Sequence, residues 1–427
     1  MSRKQLYRRV LCIVLLVTII YTGYYAYNYV EEIIPNKIHV IENEVGRFDF
    51  ELPIAAEITS MDEAVILAGS SEVWSDTLSL ERRDAFSVIS DKKGQYTLAM
   101  KLFGVFPIKN IEVSVIGETE VLVCGFPIGI YLETDGILVV GTEKVTTASG
   151  IIEEPSHSVL NVGDYVLAVN DEELESKEEL VGVLEASRGE EMILTIRRNE
   201  EVSKVRITPA KDADGKYKLG VWVRDDTQGI GTLTYITADG RFGALGHGVS
   251  DVDIGALMEC KEGSLYESEI LSIIKGEAGT PGGLSGIIHC GNNNKLGDID
   301  VNSSAGIFGD GYDGLVDMAD GEYMDIALKQ DVEPGKAYVR CCVNGEVKDY
   351  EVEITKINTS SLSMNRGMEI KVTDPELLAL TNGIVQGMSG SPIIQDDKLI
   401  GAVTHVLVND PTRGYGIFIE HMLDAAE

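Results

Sequence analysis

The chain has little that would let it bind nucleic acid or build a metal site. Against 69 Asp and Glu stand only 36 Lys and Arg, a net charge of −33 over 427 residues. Charge of that sign is repelled by phosphodiester backbones and anionic headgroups, so nucleic acid is excluded as a partner. Six cysteines (Cys12, Cys124, Cys260, Cys290, Cys341, Cys342) follow neither a zinc spacing nor a small-domain disulfide framework. A Cys260–Cys290 bridge has only their presence to support it. No H-E-x-x-H occurs and no Gly-rich loop ends in G-K-[ST], which removes zincin and P-loop chemistry. Ser90-Asp91-Lys92-Lys93 fits S-x-x-K, a pattern expected about once by chance in a chain this long. Asp298, Asp300 and Asn302 open like a calcium loop, but Ser303 and Gly309 stand where Gly and Glu are needed. No metal or cofactor is expected, and the acidic run from Asp310 to Asp325 reads as a solvated loop. Long repeats and low-complexity tracts are also missing.

What is present begins with an uncharged run, Val10 to Val30, rich in Leu, Val, Ile and Tyr. As a helix it is long enough to cross a bilayer. Arg3, Lys4, Arg8 and Arg9 precede it and Glu31 and Glu32 follow, which places the N-terminus in the cytoplasm and the bulk outside. A cleaved signal peptide is the competing reading. The run is long for an apolar signal core, and Tyr24-Tyr25-Ala26-Tyr27 offers no small-residue cleavage site, so a retained anchor is expected over residues 1–30.

Residues 31–107 read as a small β-rich region, with strand-like alternation at Arg47 to Leu52 and Tyr96 to Phe103. Residues 108–209 alternate short β runs with one clear helix. Ser176 and Glu179 form a capping box before Leu180, Val183 and Leu184, and Gly189 supplies the stop. The pattern resembles a PDZ domain. The resemblance rests on Leu160-Asn161-Val162-Gly163-Asp164-Tyr165-Val166-Leu167-Ala168-Val169-Asn170 and on a loop, Gly125-Phe126-Pro127-Ile128-Gly129-Ile130, before a strand. It implies that Gly125, Phe126, Ile128, Gly129 and Ile130 hold a peptide carboxylate while the ligand adds a strand to the sheet edge. Pro127 has no N–H to give and weakens that nest.

Residues 210–427 read as nearly all β, with many short strands and frequent Gly, Asp and Asn turns, the pattern of a closed or sandwiched antiparallel domain. Within it, Gly387-Met388-Ser389-Gly390-Ser391-Pro392 resembles the nucleophile loop of chymotrypsin-like peptidases, G-x-S-G-[GS]-P. Ser389 offers the hydroxyl, and its flanking glycines permit a tight turn and close approach of a carbonyl. The Gly387 and Ser389 N–H groups are candidates for an oxyanion hole. A serine nucleophile needs a base, and of six histidines His247, in a Gly-rich stretch at a strand end, is the first candidate. His405, after the serine, is another; a lone histidine is more often structural.

The block Asp374 to Leu423, with Thr381 to Ile394 and Gly401-Ala402-Val403-Thr404-His405-Val406, is similar to the stage IV sporulation protein B peptidases. So are Gly243 to Gly248 and Gly276 to Gly283, in the order anchor, PDZ, peptidase. The resemblance implies Ser389 as nucleophile, His247 as base and Asp374 as the residue that orients it. Asp374 lies only 389 − 374 = 15 residues before the serine, so Asp251, Asp253 and Asp325 remain runners-up. It also implies a mainly β, chymotrypsin-like endopeptidase anchored in the forespore membrane and facing the intermembrane space. Such an enzyme cuts a regulator of an intramembrane protease and itself, leading to a late mother-cell transcription factor. A non-catalytic PDZ scaffold and a periplasmic quality-control protease are the alternatives.

Overall fold

The computed structural model describes residues 3–48, 54–58, 65–68, 71–73, 86–102, 105–319, 321–358 and 361–426. The apolar run forms one helix, α1 (Arg3–Ile33). Its stretch Tyr7–Val30 is 24 residues long and reaches a mean hydropathy of 1.9 over its most apolar part, which is not buried. At about 1.5 Å per residue it exceeds the hydrocarbon thickness of a bilayer.

Lys37–Ile41 pairs in parallel with Phe106–Ile116, which pairs with Gly94–Leu102, and that strand pairs with Ile54–Ile58. Ile111, Val113 and Val115 alternate inward onto Ile38, Val40, Leu98 and Met100. Phe106–Ile116 therefore belongs to this N-terminal sheet, and a boundary at 107/108 would cut a strand in two. Of the alternating stretch Arg47 to Leu52, Gly46–Phe48 is a strand and 49–52 lie outside the described residues, as does Phe103 beyond Gly94–Leu102.

Twelve strands then form two rings. The first uses β1 (Pro127–Thr142), β2 (Val221–Thr237), β3 (Arg241–Ala244), β4 (Cys260–Ile274), β5 (Lys295–Ser303) and β6 (Gly306–Gly311). They pair in the order β1-β2-β3-β6-β5-β4 and back to β1, closing a barrel. The second uses β7 (Gly335–Cys342), β8 (Val347–Ile357), β9 (Met368–Val372), β10 (Pro392–Gln395), β11 (Lys398–Leu407) and β12 (Asp410–Phe418). It closes as β7-β8-β9-β12-β11-β10, the same Greek-key order repeated. Closure leaves no strand edge exposed and buries one apolar core per barrel.

The PDZ-type module is inserted between β1 and β2 of the first barrel, a correction to the linear order read from the sequence. Both strands are long enough to serve twice. Pro127–Glu133 of β1 lies in the barrel wall, and after a register shift Leu138–Thr142 pairs with Val221–Arg224 of β2 outside it. Tyr165–Val169, Met192–Arg198 and Glu201–Ile207 extend that outer sheet. Helix α2 (Lys177–Ser187) packs Leu180 and Leu184 against Val166, Leu194 and Ile196. Its start follows the sequence signal, since the Ser176 hydroxyl accepts from the Glu179 N–H at 3.3 Å. The first barrel thus begins at β1, well before residue 210.

Gly125 to Ile130 is consequently not a carboxylate-binding loop. Ile128 and Ile130 are buried, and Pro127–Glu133 is hydrogen-bonded to β2 on one side and β4 on the other. The Gly125 N–H donates to the Leu233 carbonyl at 2.9 Å, so these donors are spent inside the barrel. The module's available strand edge is elsewhere. Val221–Arg224 pairs with β1 on one side only, among the described residues, and lies alongside α2.

Candidate active site

The two barrels meet along β2. The Thr232 N–H donates to the Ser389 carbonyl at 2.9 Å and the Thr232 hydroxyl to the Gly387 carbonyl at 2.8 Å. The Thr234 hydroxyl donates to the Gly390 carbonyl at 2.7 Å. Three bonds from first-barrel threonines therefore pin the serine loop of the second barrel. Gly387 and Gly390 adopt φ of 98° and 92°. A Cβ at Gly390 would lie 2.1 Å from the Thr232 carbonyl oxygen, so the seam closes only over glycine. Neither the Gly387 nor the Ser389 N–H donates to a backbone acceptor among the described residues.

His247 stands just beyond β3, on a turn in which Leu245 and Gly246 both have φ near 70°. That bend carries the imidazole into a cavity of about 790 Å³ between the barrels. Ser389, Gly387, Thr404 and His405 share the cavity, with Ile230, Val385 and Val406 among its apolar walls. The Ser389 hydroxyl donates to the Thr404 carbonyl at 2.9 Å. The His247 Nδ1 lies 2.9 Å from the Gly248 carbonyl oxygen, the geometry of an Nδ1–H donating to it, which leaves Nε2 as the basic nitrogen. Burial lowers the His247 pKa, against a smaller opposing effect of the Gly248 carbonyl. Desolvation, His247 and Arg366 push His405 down to about 4. Both rings are neutral near pH 7, and a neutral imidazole is the form that accepts a proton.

Among the described residues, no Asp or Glu lines the cavity. Asp374 is the N-cap of helix α3 (Pro375–Thr381): its Oδ1 accepts from the Glu376 and Leu377 N–H groups at 2.8 and 3.1 Å. Pro375 at the first helical position fits that cap. Asp251 is buried against Arg224 at 2.7 Å and Asp253 pairs with the same guanidinium. Asp325 ends an edge strand opposite Glu120. Ser389 and His247 are brought to one cavity, and the four aspartates weighed beside them are not.

Sequence reasoning assigned no site role to Thr232, Thr234, Thr404 or Asn302, the last weighed only as part of a broken calcium loop. Each is an ordinary polar residue in a strand: pairing across the barrels gives Thr232 and Thr234 their partners, and Thr404 and Asn302 find theirs on distant segments of their own barrels.

Residues 215–423 match the family described as SpoIVB peptidase S55. No curated protein matches the chain. Among solved structures, the Rv3671c protease from M. tuberculosis in its active form is 12% identical, covering 47% of this chain and 74% of that one at a TM-score of 0.29. The HtrA-type protease AlgW with a tripeptide is 12% identical, covering 46% and 54% at a TM-score of 0.28. The PDZ domain of an SdrC-like protein from Listeria monocytogenes is 19% identical, covering 21% and 87% at a TM-score of 0.18. Residues 215–423 belong to the SpoIVB peptidase S55 family, and the chain is a serine endopeptidase.

Proposed function

We propose that Ser389 is the nucleophile and His247 the general base of this peptidase, acting as a pair. The observation that carries the reading is that both side chains open on one cleft of about 790 Å³ at the junction of two closed barrels. The Ser389 hydroxyl, which now donates to Thr404, rotates toward His247 and attacks the scissile carbonyl carbon as His247 Nε2 takes its proton. The N–H groups of Gly387 and Ser389 stabilise the oxyanion. His247 then protonates the leaving amine, and water releases the acyl group by the reverse sequence. Labelling of the full-length protein in detergent by a fluorophosphonate tests the reading. Label on wild type but not on Ser389→Ala, with a large loss in His247→Ala, supports it; equal labelling of Ser389→Ala sinks it.

We further propose that α1 anchors the enzyme with its bulk outside the cytoplasm, on the strength of the four basic residues before the apolar run. The family's name supports a role in sporulation signalling, by cleavage of a membrane-protease regulator and of the enzyme itself. Protein segments would be presented by strand addition to Val221–Arg224 of the PDZ module.

A further inference from the structure

An imidazole acting as base needs its other nitrogen fixed, usually by a carboxylate. Here the Gly248 carbonyl fills that place, 2.9 Å from Nδ1. A loop carbonyl orients a ring only if its own peptide plane is held. The Gly248 C=O and the Val249 N–H belong to one planar peptide unit, so fixing one fixes the other. Asn302, near the end of β5, does this with all its polar atoms. Its Oδ1 accepts from the Val249 N–H at 2.8 Å, and its Nδ2 donates to the Val249 and Met258 carbonyls, each at 2.9 Å. The Val249 carbonyl also accepts from the Met258 N–H at 3.1 Å, closing the loop on itself. Behind it, a Cβ at Gly248 would meet the Ser303 carbonyl oxygen at 2.3 Å, so the loop is seated directly on the turn after Asn302.

We propose that Asn302 is the positioning residue for His247, acting through the Gly248–Val249 peptide in the place a carboxylate holds in a triad. The chain of contacts runs from Asn302 Oδ1 to the Val249 N–H, through the peptide, and from the Gly248 oxygen to His247 Nδ1. An acceptor on the N–H polarises the amide and makes its carbonyl a better acceptor, so the linked bonds strengthen one another. Asn302 touches neither substrate nor Ser389. The inference rests on the assignment of Ser389 and His247 as nucleophile and base.

The test is the rate at which a fluorophosphonate labels Ser389 in the full-length protein in detergent, followed from about pH 5 to pH 9. Asn302→Ala is expected to slow labelling about 100-fold, as misplacement of a reacting group does. It also moves the acidic limb to lower pH, because the imidazolium loses a fixed acceptor. Asn302→Asp keeps the acceptor for the Val249 N–H but loses the donor to the Val249 and Met258 carbonyls, and recovers at least about a tenth of the wild-type rate with the limb at or above its wild-type pH. Wild-type rate and limb in Asn302→Ala overturn the proposal. If Asn302→Ala does not fold, Asn302→Asp decides, and a rate below that tenth overturns it. Ser389→Ala and His247→Ala run alongside. Labelling that survives in both sinks the nucleophile-and-base assignment itself, whereas its loss in both with Asn302→Ala unaffected sinks only this inference.

Discussion

The ring of His247 lies 4.9 Å from the ring of His405, tilted by 38°, in a cavity lined by no carboxylate among the described residues. Protonating either ring would place a cation against the other, and desolvation already disfavours charge on both. With His247 as the proposed base, activity needs its neutral form. With its pKa below 6.5, the active form persists as pH falls through 6.5 and is lost only at lower pH. The acidic limb of kcat/KM is therefore expected below pH 6.5. A limb at or above that value would mean that a carboxylate reaches His247 in the working enzyme.

Asp374 is expected to act on stability. Asp374→Ala removes acceptors from the Glu376 and Leu377 N–H groups and costs about 1 kcal/mol, read as a lower midpoint in denaturant. Asp374→Asn keeps a good N-cap and costs a few tenths of that, with fluorophosphonate labelling close to wild type. Loss of labelling in folded Asp374→Asn would return Asp374 to the catalytic group.

A buried ionic cluster joins the first strand of the N-terminal sheet to helix α4 (Ile419–Ala426) at the other end of the chain. His39 Nε2 lies 3.0 Å from Asp424, and Lys329 lies 2.6 Å from Glu420. Burial alone would lower the His39 pKa, but bonding to Asp424 and Glu420 overcomes it and raises it to about 9. Below pH 6.5 His39 is protonated folded and unfolded alike, and its stabilisation is complete. That stabilisation, about 3 kcal/mol, is lost as pH rises through about 9. Denaturant unfolding at pH 6 and at pH 9.5 checks the sign. His39→Gln should flatten the difference, and a wild-type protein equally stable at both values would refute it.

Trp222 sits on the single-sided strand edge of the PDZ module and is 61% exposed. A peptide adding a strand there changes the polarity around the indole. In a Trp74→Phe background Trp222 is the remaining tryptophan, so binding should shift its emission in a saturable way. A Val223→Pro variant, altered on the same strand, should lose the response. A peptide that binds without moving Trp222 emission would place the ligand on another edge.

The serine loop was legible because its chemistry is local: two glycines of positive φ around a hydroxyl leave a mark within six residues. The apolar N-terminal helix, the α2 capping box and the β-rich character were legible for the same reason, since each depends on neighbours in the chain. Where strands pair was not. The run 125–130 resembles a binding loop until β2 and β4 take up its donors, and β1 is a plain strand until one half closes a barrel and the other feeds the inserted module. The partner of His247 was hidden in the same way. Asp374, 15 residues from Ser389, is turned aside by the helix it caps, while Asn302 is folded onto the Gly248–Val249 peptide from 53 residues away. Residue types and short-range geometry single out Ser389 and His247, the nucleophile and base proposed above. Which group steadies the base depends on contacts between distant strands, and barrel closure, not local propensity, sets those.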